Sequence, residues 1–150
     1  MLIEEVMSKN VITKNNESNL REIAEQMLHH RIGSIIVTDK DDIPVGIVTE
    51  TDLIHAGYVA DTNFSNIPTK RVMSEPLVTI TKGQTLRRAT ELMNEKEIKR
   101  LPVLEQNKLI GIVTAHDIIA SFSDLKSEIY EIARHGRSRV SGEHVDLDSF

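Results

Sequence analysis

The sequence predicts an α+β fold: two β-α-β-β-α units related by a pseudo-twofold axis and packed through their sheets, with a helical tail behind them. Three observations carry that prediction. Gly46-Ile47-Val48-Thr49-Glu50-Thr51-Asp52 returns as Gly111-Ile112-Val113-Thr114-Ala115-His116-Asp117. A lead-in segment, Val6-Met7-Ser8-Lys9-Asn10-Val11-Ile12-Thr13, returns as Val72-Met73-Ser74-Glu75-Pro76-Leu77-Val78-Thr79, 66 residues on from Met7 to Met73. Between the two, apolar residues hold the same register, so Leu20, Ile23, Met27 and Ile32 answer to Leu86, Ala89, Met93 and Ile98.

The elements follow in order. After the first lead-in, Leu20, Ile23, Ala24, Met27 and Leu28 form one apolar face of a helix, and Leu86, Ala89, Leu92 and Met93 repeat it. Asn19 and Thr85 stand just before these helices and suit their N-caps. Two strands come next in each unit: Ser34 to Thr38 and Val45 to Thr49, matched by Arg100 to Leu104 and Ile110 to Thr114. The first turn, Asp39-Lys40-Asp41-Asp42, is one residue longer than Glu105-Gln106-Asn107, a slip that polar turns tolerate. A closing helix starts at each motif aspartate. His55 to Arg71 reads as a connecting loop with a short helical turn at most. Leu125, Ile129, Ile132 and Ala133 form a stripe on a tail helix stopped by Gly136, and the polar stretch from Arg137 to Phe150 reads as loose. The expected organisation is therefore 1–65 for the first unit with its connector, 66–122 for the second and 123–150 for the tail.

Composition narrows the function classes. A net charge of −5 and only two tyrosines, three phenylalanines and no tryptophan argue against a nucleic-acid binder. No apolar run reaches the ~18–20 residues that span a bilayer, and the first residues lack a signal-peptide layout. With no cysteine there is neither a disulfide nor a thiolate metal site, and a cytoplasmic location is expected. The histidines show no metal-binding spacing, and no nucleophile stands beside a base in the motifs, so no catalytic residue is assigned.

The repeated motif carries the chemistry. Gly-β-branched-β-branched-Thr reads as a buried strand reaching its end, and Asp-apolar-apolar as a helix start. Thr49 and Asp52, like Thr114 and Asp117, then sit where a strand hands over to a helix. Free N–H groups and the helix dipole favour an anion there. The same Thr-x-x-Asp spacing is also a capping box, in which both side chains serve only the backbone. Both readings stand at this point.

The doubled motif, with its doubled lead-in, resembles the CBS domain family, named after cystathionine β-synthase, in its tandem arrangement. The resemblance covers some four fifths of the chain. It implies two clefts related by the pseudo-twofold axis, at least one of them binding an adenosyl ligand: AMP, ADP, ATP or S-adenosylmethionine. It also implies a regulatory sensor that signals to a protein partner, with no catalytic cofactor, in a free-standing and homodimeric chain. On that resemblance Asp52 and Asp117 accept from ribose hydroxyls, Thr49 and Thr114 help hold ribose or phosphate, and the backbone around Ile12-Thr13 and Val78-Thr79 reads adenine. A carboxylate's two acceptor oxygens suit the two donors of a cis-diol.

The basic groups are unevenly shared. Lys99, Arg100 and His116 of the second unit stand where the first has Gly33, Ser34 and Thr51, and Glu50 stands where the second has Ala115. Phosphorylated ligands are therefore expected to prefer the cleft served by Arg100 and His116. Arg134-His135-Gly136-Arg137-Ser138-Arg139 reads as solvated chain.

Overall fold

A computed structural model describes residues 1–122 and 130–134. The first repeat contains β1 (Thr13–Asn15), α1 (Leu20–His30), β2 (Ser34–Thr38), β3 (Pro44–Thr49) and α2 (Glu50–Val59). The second contains α3 (Leu86–Lys96), β4 (Arg100–Glu105), β5 (Lys108–Thr114) and α4 (Ala115–Ser121). Short 3₁₀ turns occupy Ile3–Glu5, Phe64–Asn66 and Thr69–Arg71.

Each long helix begins and ends for local reasons. The Asn19 side chain accepts from the Glu22 N–H, and Thr85 accepts from that of Arg88. At the other end Arg31 and Glu97 both take the left-handed conformation, φ 54, which turns the chain into the following strand. The hairpins keep one register through their central pairs, Val37 facing Gly46 and Val103 facing Gly111, and each has a bulge just beyond. The second turn is closed by Gln106 and Asn107, both at positive φ. The longer first turn is held by Asp39, whose Oδ1 accepts from the N–H groups of Asp41 and Ile43.

The sheets are less alike than the doubled sequence predicts. In the first repeat β1 pairs parallel with β2, giving the order β1-β2-β3. In the second, only a bridge between Ile80 and Val103 occupies the equivalent place. Pro102 supplies the reason. It stands where the first repeat has Ile36, whose N–H donates to the Ile12 carbonyl at 3.4 Å, and proline has no N–H to give.

The connector also departs from expectation. Instead of opening into a loop at His55, α2 runs on to Val59. Only Ala56 of this helix is buried, while Ile54, Tyr58 and Val59 are exposed, so its apolar residues surround it and give no stripe to read. Of the expected tail helix, residues 130–134 are helical; Leu125, Ile129 and Gly136 lie outside the described residues.

The repeats exchange their lead-in segments. Ser8 pairs with Ile112 of β5 through two hydrogen bonds of 2.9 Å, and Ser74 pairs with Ile47 of β3 at 2.9 and 3.2 Å. Ile3, fully buried, sits in the apolar cluster of the second repeat with Leu86, Ala89, Leu101 and Val113. Ile67, in turn, packs with Leu20 and Ala56 of the first. The methionines lock this crossing. A Cβ on Gly111 would stand 2.7 Å from Met7 Sδ and 2.8 Å from the Ser8 carbonyl oxygen, and one on Gly46 would meet Met73 and Ser74 similarly. The motif glycines are thus places of close backbone approach.

Candidate functional site

The crossing builds two clefts, each combining the motif of one repeat with the lead-in of the other. The first, about 720 Å³, brings Ser8, Asn10 and Ile12 against Thr114, His116 and Asp117. The second, about 550 Å³, brings Ser74, Leu77 and Val78 against Thr49, Thr51 and Asp52. Both are of the size that holds a nucleotide-sized molecule. Thr13 and Thr79 line neither: Thr13 is held in β1 opposite Ile36, one residue past the cleft edge. Lys99 and Arg100 line both clefts, because they lie at the start of β4 between them.

At each motif the capping contacts are made. Asp117 Oδ2 accepts from the Thr114 N–H at 2.9 Å, and Thr114 Oγ1 accepts from the Asp117 N–H at 3.1 Å. Asp52 and Thr49 form the same pair at 2.8 and 3.3 Å. The N–H groups of Ala115 and Glu50 donate to the carbonyls of Lys99 and Gly33. The expectation of several free N–H groups at these helix starts is therefore corrected. Anion binding here has to come mainly from side chains.

Capping does not exhaust the aspartates. The caps use Oδ2 in both, and each half-buried carboxylate keeps Oδ1 for a further donor. The two threonines differ. Thr49 also donates its hydroxyl hydrogen to Asp52 at 3.0 Å, a bond that Thr114 does not make to Asp117.

The charges differ as well. The first cleft is lined by Arg31, Lys99, Arg100 and Arg134 with His116, against Asp117 and Glu131. In the second, Lys99 and Arg100 face Glu50, Asp52 and Glu97. Arg31 was not among the expected site residues, although the 66-residue register already set it opposite Glu97. Arg134, read from sequence as solvated chain, lies on the wall of the first cleft, where the Tyr130 ring meets His116 edge-on at 6.0 Å. Arg100 reaches across to Gly33, its Nη2 standing 2.6 Å from where a Cβ would be, with Glu50 Oε1 at 3.4 Å.

Residues 3–58 and 70–124 each match the CBS domain. The chain belongs to the CBS domain family. An uncharacterized protein of Methanopyrus kandleri is 37% identical over 118 residues, covering 78% of this chain. The CBS pair spans 60% of that relative's length and 35% of a Methanocaldococcus jannaschii relative. Among solved structures, a CBS domain pair in complex with 5′-methylthioadenosine and S-adenosyl-L-methionine superposes with TM-score 0.74 at 24% identity, over 81% of this chain and 95% of that one. A CBS domain protein from Pyrobaculum aerophilum complexed with AMP gives 0.72 at 20% identity, over 78% and 89%. These likenesses establish the fold of the CBS pair. Among the described residues, no helix is long and apolar enough to cross a membrane, and no histidine or carboxylate cluster could hold a metal ion.

Proposed function

We propose that this CBS pair is a regulatory module that binds an adenosyl ligand in the clefts between its repeats and signals to a protein partner by a conformational shift. One observation carries the reading. Asp117, with an acceptor oxygen to spare, shares a cleft with Arg31, Lys99, Arg100 and His116. A carboxylate for a ribose diol beside cations for a phosphate is what a nucleotide such as AMP, ADP or ATP requires. The solved relatives complexed with AMP and with S-adenosyl-L-methionine support the ligand class. Phosphorylated ligands fill the first cleft in preference to the second. The signal is a population shift, limited by the ligand's differential affinity for two arrangements of the repeats.

The module acts as a homodimer in the cytoplasm. Ile54 and Tyr58 on α2, and Ile119 and Phe122 at α4, are between 60% and 88% exposed, and they are an apolar surface that a second copy would cover. The absence of cysteine suits a reducing compartment.

A second reading, an interaction module with empty clefts, is favoured by the completeness of both capping boxes. Thermal unfolding with millimolar AMP, ATP or S-adenosylmethionine separates the two. Ligand at a hundred times its Kd stabilises by about 2.7 kcal/mol. A raised midpoint supports the sensor, and a flat response to every adenosyl compound supports the interaction module.

A further inference from the structure

The two clefts differ by a whole wall. Among the described residues, the second is lined from the repeats alone, within 47–52, 74–78 and 97–102. The first takes a further side from residues 130–134, a helical stretch beyond α4. In the first repeat the chain after α2 enters the connector instead, where Ile67 packs with Leu20 and Ala56 and lines neither cleft. The stretch turns one face to the first cleft. Tyr130, Ala133 and Arg134 stand at the i, i+3, i+4 spacing of a single helix face and line it with Glu131, whereas Ile132 does not and is 73% exposed. Tyr130 ties that face to the motif, since its ring meets His116 of α4 edge-on at 6.0 Å, within the range of favourable aromatic pairs. Arg134, one turn on, is thereby set on the same cleft as Lys99 and Arg100. Because Glu131 comes with it, the stretch adds little net charge; what it offers an anion is a guanidinium with directed donors.

We infer that residues 130–134 are the phosphate-holding wall of the first cleft and the element through which its occupancy is read. A bound nucleotide's phosphate is gripped between Arg134 on this wall and Lys99 and Arg100 at the start of β4, with Tyr130 as the positioning residue. This rests on the adenosyl reading above and adds to it the route by which the signal leaves. The grip ties a stretch outside both repeats to the second repeat's sheet, so a phosphorylated ligand holds it on the cleft and a nucleoside without phosphate does not. A ligand in the second cleft, which this stretch does not line, leaves it as it is. By linkage, a partner that draws residues 130–134 off the cleft weakens nucleotide binding by the same factor that the nucleotide weakens the partner's.

Hydrogen exchange read by mass spectrometry on the full chain, with calorimetric titration of AMP and adenosine, tests this. Saturating AMP is expected to slow exchange of the amides of residues 130–134, and saturating adenosine to leave them unchanged. Arg134→Gln is expected to weaken AMP about twofold to fivefold, the range for an exposed charge contact, with adenosine affinity and the melting temperature kept. Tyr130→Ala should weaken AMP likewise, and Tyr130→Phe, which keeps the ring against His116, should restore it. Arg87→Gln, which removes an exposed cation that lines neither cleft, serves as the control for charge at a distance and should change neither ligand. AMP binding with exchange at 130–134 unaltered would overturn the inference. So would equal slowing by adenosine, an unchanged AMP affinity in Arg134→Gln, or a loss in Arg87→Gln as large as in Arg134→Gln. If neither AMP nor adenosine binds the unaltered chain, the proposed function falls, and the inference falls with it.

Discussion

At the scale of single residues, the proposed function gives Asp117 two tasks that different substitutions separate. Oδ2 caps α4 and Oδ1 is left for a ligand. Asp117→Asn keeps an acceptor for the Thr114 N–H, so its melting should barely change while AMP affinity falls by roughly 1.5–3 kcal/mol, the range for a hydrogen bond to a charged group. Asp117→Ala should show that loss together with about 0.5–2 kcal/mol of destabilisation from the missing cap. Titration and melts of both variants check it; unchanged affinity in Asp117→Asn would return the motif to capping alone. Gly33 gives a contrasting case. A methyl there meets the end of the flexible Arg100 side chain rather than backbone, so Gly33→Ala should alter AMP affinity by displacing the guanidinium while changing the melting temperature little. The motif residues were legible because the sequence writes them twice. Arg31 was not, since a charged residue after a helix reads as surface until the fold turns it toward a cleft.

At the scale of elements, the lead-in crossing makes stability predictions that neither repeat would make alone. Ile3 is fully buried in the second repeat's cluster, so Ile3→Ala should cost about 2–5 kcal/mol, measurable by denaturant unfolding, although it lies at the far end of the sequence from that core. Gly111→Ala should cost about 1–3 kcal/mol, because the Ser8 carbonyl at 2.8 Å is backbone and can move only by loosening the bridge to Ile112. A Gly111→Ala variant as stable as the unaltered chain would mean that the crossing is looser than these distances imply. The long helices and hairpins were legible, since each has a cap, a period and a turn written locally. The far end of α2 was not, because its apolar residues point outward and leave no stripe. The missing β1 counterpart was legible in principle: Pro102, inside the predicted strand Arg100 to Leu104, marks a ladder that cannot continue on that side.

At the scale of the whole molecule, the exchanged segments give the pair two clefts instead of two independent repeats, and Ile54 and Tyr58 of α2 and Ile119 of α4 are left exposed. The pairing of the repeats was readable from their doubling. Which lead-in meets which motif was not, because the contact joins residues about a hundred positions apart in sequence, Ser8 and Ile112. Light scattering should find a dimer at micromolar concentration, and replacing Ile54 and Ile119 by lysine should shift it toward monomer. A monomeric unaltered chain would contradict the assembly.

Everything proposed for the pair depends on the first cleft's taking a phosphorylated adenosyl ligand. The most direct measurement is calorimetric titration of AMP and of adenosine into the full chain and into Arg100→Ala. Saturable AMP binding is predicted, weakening with added salt, and Arg100→Ala should lose affinity for AMP and little for adenosine. No AMP binding at millimolar concentration, or equal losses for the two ligands, would contradict it.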